Sequence, residues 1–204
     1  MELKADDGTP LEVVRETLAG IVPHEHETQL WNKAPMFLIL PPYLEALDIV
    51  DGQEASFEFV DENGNSRSVE VSAVSDKAAI EWYRYLGNAV PVPEDRAEIP
   101  LYMNGKGPLY RMKYKKSERL LYIQYDQCRE NPQRPFEEFA EEVKGRMENS
   151  AVEKMVVDLR FNGGGNSQVF QALLSTLGRD YERGRDYDLY VVIGRGTFSS
   201  AILQ

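Results

Sequence analysis

The stretch VVDLRFNGGGNSQVFQALLSTL, residues 156–177, constrains the fold more than any other: a β-branched run, three consecutive glycines and a helical apolar pattern follow without a spacer. A second stretch, LYVVIGRGTFSSAILQ at 189–204, repeats the layout with a shorter glycine turn and two adjacent serines. Two near-continuous apolar strands separated by a helix predict parallel neighbours joined by a right-handed crossover, and hence an α/β layer fold.

Gly163, Gly164 and Gly165 leave the backbone bare ahead of a helix whose apolar stripe is Val169, Phe170, Leu173, Leu174 and Leu177. Unshielded peptide N–H groups beside a helix N-terminus can hold an anion. Phosphate is a poor fit. The dinucleotide fingerprint needs a glycine where Gln168 stands, and a phosphate-binding P-loop needs Gly-Lys where Val169 and Phe170 stand. An oxyanion remains, and the serine pair offers a group to make one. A hydroxyl at Ser200, after an apolar strand and a short turn, sits where α/β sheets bind ligands, and the next N–H can donate to the same oxyanion. The same residues also read as structural: glycines permit positive φ in a tight turn, and a serine ahead of a helix is a common N-cap.

The rest of the second half supplies layers for this core. LYRMKYKKSERLLYIQYDQC alternates as a hairpin about a Lys-Lys-Ser-Glu turn, and Phe136, Phe139, Ala140, Val143 and Met147 share one helical face. With strands at KMVVDLR and YDLYVVIG the predicted order is β, β, α, β, α, β. Prolines, glycines and charges break every period over 87–107, which reads as a linker or crossing segment between regions 1–86 and 108–204. In the first region, Thr9 as cap, Pro10 at the first helical position and Glu12 predict a helix over 10–20. PPYLEALDIVDG predicts a short helix ending at Gly52, and Asn63-Gly64 a hairpin turn.

The chain of 204 residues, 42% hydrophobic, is long enough to bury a core. A net charge of −11 repels nucleic acid and anionic membrane surfaces. No apolar run approaches the roughly 18 residues of a membrane span, and no signal segment opens the chain. The compartment is therefore left open between the cytoplasm and export after removal of a leader. Cys128 reads as a packed thiol. His24 and His26, spaced i, i+2, lack further ligands for a metal and read as surface residues.

Asp158-Leu159-Arg160-Phe161-Asn162-Gly163-Gly164-Gly165, followed after a helix and a strand by Thr197-Phe198-Ser199-Ser200-Ala201, resembles the tail-specific, or C-terminal-processing, serine peptidases, with their tricorn-core and retinoid-binding relatives. The resemblance covers about 108–204. It implies a ClpP/crotonase-like core of ββα units, preceded by a smaller mixed α+β region, and cleavage of peptide or protein substrates through an acyl-enzyme, with no metal and no organic cofactor. It implies Ser200 as nucleophile with Ser199 as the alternative, the N–H groups of Gly164 and Ala201 as oxyanion donors, and Asn162, Gly163 and Gly165 as the supporting turn.

LKADDGTPLEVV resembles a late stretch of a PDZ-like module, although the carboxylate-binding loop of such modules is absent. The family's general base lies well beyond the nucleophile. These residues are therefore expected to be a truncated peptidase core without its base, since Lys106 and Lys154 carry no motif that marks one. Apolar residues left open by truncation, Leu177 and Leu203 among them, are expected to favour self-association. Two other readings share the fold: a non-catalytic module binding a peptide or apolar ligand, and an acyl-CoA enzyme of the crotonase type.

Overall fold

The computed structural model describes residues 2–6 as backbone, and 8–38, 40–74, 77–78, 81, 100–103 and 109–202. It is a mixed α/β structure that divides into two compact units, Met1–Glu94 and Asp95–Gln204, and no sheet closes into a barrel among the described residues. Of the crossing segment expected over 87–107 only 100–103 is described, with a 3-10 turn at Leu101–Met103. Lys106, Leu203 and Gln204 lie outside the described residues. No described helix is long and apolar enough to cross a membrane.

The first unit is an antiparallel sheet in the order β2-β1-β3-β4, with β1 at Glu2–Asp6, β2 at Thr9–Pro10, β3 at Glu54–Val60 and β4 at Ser66–Ser72. Helices α1 (Leu11–Ala19), α2 (Glu27–Leu38) and α3 (Pro41–Glu45) contribute Val14, Leu18, Leu30, Ala34 and Leu44 to a core shared with Ala55 and Phe57 of β3. Helix α1 begins one residue later than predicted. Thr9 and Pro10 pair with Asp6 and Ala5 of β1, so Pro10 is held extended (φ −56°, ψ 140°) and is itself the cap, without a side-chain hydrogen bond. Helix α2 was not legible in the sequence because Pro35 interrupts its interior, where a proline removes a ladder hydrogen bond. His24 and His26 are exposed in the turn that enters α2, with the Gln29 N–H donating to His26 Nδ1 at 3.2 Å.

The β3–β4 hairpin forms with Gly64 at φ 85°, but its loop spans 61–65 rather than two residues. Asp61 fixes it by accepting the N–H groups of Asn63 and Asn65 at 2.8 Å and the Asn65 amide at 3.0 Å. Those bonds, the Asn65 side chain's foremost, hold the Asp61 carboxyl below its usual range. Its contribution to the loop is thus present above the ordinary Asp pKa and fades as pH falls through the lowered folded-state value.

In the second unit β5 (Tyr110–Lys115), β6 (Leu120–Tyr125), β7 (Lys154–Asp158) and β8 (Asp188–Val192) lie in sequence order, antiparallel at the first pairing and parallel at the next two. The predicted hairpin closes through a 3-10 turn at Lys116–Glu118 and Arg119 in the left-handed region. Helix α4 (Phe136–Glu148) buries all five residues of its predicted stripe. Helix α5 (Gln171–Glu182) buries Leu173, and its Leu174 and Leu177 pack against the same core, so Leu177 is not the open apolar surface that was expected. Tyr110, Tyr125, Phe136, Phe139 and Phe170 form the centre, with neighbouring ring centroids 4.9–6.3 Å apart. Such ring pairs add to burial through their edge-to-face electrostatics.

The strand β8 closes the sheet order on one side. It is parallel to β7 as predicted and is the outer strand of the sheet among the described residues, with Leu189, Tyr190 and Val191 48–57% exposed. An apolar run resembles an interior strand by composition, but position in the sheet decides burial.

The difference between centre and edge is measurable by urea unfolding. Phe136→Ala should cost about 3–5 kcal/mol through lost contacts and a cavity. Val191→Thr at the edge should change stability by less than about 0.5 kcal/mol.

Candidate active site

Because β6, β7 and β8 are parallel and Gln124, Asp158 and Val192 lie level across them, the segments that follow these strands leave one edge of the sheet together. This is the edge where open α/β sheets place their ligands. Hydrogen bonds tie the three segments to one another. Cys128 N–H donates to Gly164 O at 3.1 Å, and Asn166 N–H returns to Cys128 O at 2.7 Å. Phe198 N–H donates to Asn162 O at 3.1 Å, and the buried Thr197 hydroxyl donates to Leu159 O at 2.9 Å while accepting the Gly194 N–H.

Asn162 is the hub of this junction and is fully buried. Its amide nitrogen donates to Tyr125 O at 3.0 Å, and its Oδ1 accepts the Gly164 N–H at 2.9 Å and the Cys128 thiol at 3.4 Å. One side chain thereby fixes the end of β6 and the glycine turn after β7, and its backbone carbonyl fixes the serine segment after β8.

The three glycines are not equivalent. A Cβ on Gly164 would lie 2.7 Å from Ser199 Cβ and 2.8 Å from Phe198 O, and one on Gly165 would lie 2.3 Å from Cys128 O. Both also have positive φ, 93° and 132°. Gly163 has neither constraint: its φ is not positive, and a methyl group there would meet nothing within 4 Å. The bare backbone is therefore needed where the serine segment and the β6 segment press on the turn. Gly165, expected in the supporting turn, bridges to Cys128, and the helical turn starts at Ser167 with Asn166 as cap, its side chain accepting the Gln168 N–H at 3.0 Å.

The two serines differ as well. Ser200 is 7% exposed and its hydroxyl donates to Gly165 O at 2.8 Å. Ser199 is half-buried, lies against Gly164 and has φ 56°, a conformation that costs a non-glycine residue about 1–2 kcal/mol. A 3-10 turn, Ser199–Ala201, follows Phe198. The expected oxyanion donors are both engaged, Gly164 N–H by Asn162 Oδ1 and Ala201 N–H by Phe198 O at 3.2 Å. Gly165 N–H has no acceptor among the described residues. It shares a planar trans peptide with Gly164 O, which faces Cys128, so it points away from Cys128.

Beneath the glycine turn lies a polar network that sequence reasoning missed, although Asp158 and Arg160 were in view. Asp158 is fully buried: Oδ1 accepts Arg160 Nε at 2.9 Å and Arg160 N–H at 3.1 Å, and Oδ2 accepts the Tyr122 hydroxyl at 2.6 Å. Burial, then the bond to Asp158, raises the Tyr122 phenol well above its ordinary value, so it stays protonated and donates. The alternation of β6 placed Tyr122 opposite the aromatic core, which was the available signal. Among the described residues no three His, Cys, Asp or Glu side chains gather as a metal set.

No family model and no curated protein matches the chain. Two solved structures of mature CPAF, a chlamydial serine protease of the tail-specific protease family, are similar to it at 18% identity. One, in complex with lactacystin, aligns with TM-score 0.41, and the other with 0.43. Each alignment covers 85% of this chain, which spans 37% of the length of those proteins.

Substitutions in the glycine turn separate conformational need from mere spacing. Gly163→Ala should leave the melting temperature within about 2 °C of the parent, whereas Gly164→Ala and Gly165→Ala should each lower it by several times as much, by calorimetry.

Proposed function

We propose that this chain carries the nucleophile and oxyanion turn of a serine peptidase acting on peptide or protein substrates through an acyl-enzyme. The carrying observation is the seating of Ser199, in a left-handed backbone conformation, directly on the bare backbone of Gly164 at the carboxyl edge of the parallel strands. Strained nucleophile turns of this kind present a hydroxyl at the mouth of a sheet.

In this reading the serine hydroxyl adds to the scissile carbonyl as a base takes its proton. The carbonyl oxygen becomes an oxyanion received by peptide N–H groups of the glycine turn. Collapse expels the amine as it gains a proton and leaves an acyl-serine, which water hydrolyses. Ser199 is favoured over Ser200 because it takes the left-handed position directly against Gly164, whereas Ser200 is only 7% exposed. Gly165 N–H is a donor without an acceptor among the described residues; Gly164 and Ala201 join it on releasing Asn162 Oδ1 and Phe198 O. Lys154 does not serve as the base: it is exposed at the amino end of β7, four residues or about 13 Å along the strand from Asp158 and the site edge.

The engagement of Gly164 and Ala201 N–H favours a second reading, a non-catalytic module that binds a peptide or apolar ligand on the same fold. Labelling of the full-length protein with a fluorophosphonate separates the two. The peptidase reading expects labelling that Ser199→Ala abolishes and Ser200→Ala slows by no more than about tenfold, the worth of one hydrogen bond. No labelling of the parent protein supports the binding module, and labelling lost with Ser200→Ala alone returns the nucleophile to Ser200.

A further inference from the structure

The Arg160 guanidinium is held from two sides. Its Nε bonds Asp158 Oδ1 at 2.9 Å, and the Tyr102 ring lies under it, 4.0 Å from the guanidinium carbon to the ring centroid. The terminal nitrogens, with four N–H donors, have no acceptor among the described residues, and the side chain is 28% exposed. Arginine loses little further freedom when such a fixed fork finds an acceptor. The next residue, Phe161, is 54% exposed with its ring 6.0 Å from that of Tyr102. An open aromatic ring and a fork of donors without acceptors among the described residues thus stand together, immediately before the Asn162–Gly164 turn on which the serine segment packs.

We propose that Tyr102, Arg160 and Phe161 form a peptide subsite in which Arg160 donates to a backbone carbonyl and Phe161 takes the apolar side chain of the same residue. This deepens the peptidase reading and rests on it for the identity of the ligand. The choice of a neutral carbonyl follows from charge. Asp158 already balances Arg160 at contact distance, and the chain carries a net charge of −11, so an anion gains little there. A carbonyl needs donors and no net charge. The apolar part follows from Phe161, since a ring left half in water gains by covering. Preference for an apolar residue in the bound peptide is the consequence for specificity.

The test is an NMR titration of the isotopically labelled full-length protein with N-acetyl-L-phenylalanine amide and, separately, N-acetyl-L-alanine amide. The phenylalanine probe should saturably shift the Arg160 Nε–H and Phe161 ring signals and bind about three- to tenfold more tightly than the alanine probe, the range for one aromatic contact. Phe161→Ala, at an exposed position that leaves the fold intact, should erase that preference. Absence of saturable shifts at these two residues, equal affinity for the two probes, or a preference that survives Phe161→Ala overturns the subsite. Fluorophosphonate labelling of the same sample keeps the readings apart: labelling without probe binding removes the subsite alone, and probe binding without labelling removes the catalytic role alone.

Discussion

The close approach of three backbone segments at one sheet edge is the constraint on which the second unit depends. Cys128 O stands where a side chain on Gly165 would be, and Ser199 where one on Gly164 would be. Such contact excludes water from several peptide groups, and each must then find a partner within the protein. Asn162 meets that demand with both ends of its amide, joining Tyr125 O, Gly164 N–H and the Cys128 thiol. Thr197 does the same for Leu159 O and Gly194 N–H. The buried polar groups of the junction thus find their partners within it.

The aromatic centre and the polar network share the same strands. Along β6, Leu121, Ile123 and Tyr125 enter the core with the rings of α4, while Tyr122 and Gln124 face the other side. Tyr122 there meets Asp158, and Asp158 orients Arg160. Packing on one face thus fixes the register that sets hydrogen bonding on the other, since a slip of one residue would exchange the faces. The buried Asp158 carboxylate is tolerated because both oxygens are bonded, one of them to a guanidinium.

The two adjacent serines take different positions in the folded chain. The resemblance implies a set of Ser200 with the N–H groups of Gly164 and Ala201. In the folded chain the Ser200 hydroxyl turns to Gly165 O, and those two N–H groups turn to Asn162 and Phe198. Ser199 instead takes the strained position over the glycine turn. Neighbouring serines have the same local propensity, so their difference arises from what lies across the gap.

Much of the second unit was legible because local periodicity and turn chemistry act over a few residues. The stripes of α4 and α5, the β5–β6 hairpin and the strand, glycine turn and helix of 156–177 all follow from spacing alone. By themselves these residues determined that strands would alternate with helices, and that bare backbone would be required after β7. Tertiary structure alone decided that β8 is the outer strand among the described residues, that Thr9 and Pro10 pair with β1, that Gly164 and Gly165 rather than Gly163 are closed to a side chain, and which serine lies over the turn. The physical reason is range: propensity is set by a residue's own neighbours in sequence, whereas burial, close approach and hydrogen-bond choice depend on partners far along the chain, such as Gly164 and Ser199, brought together only by folding.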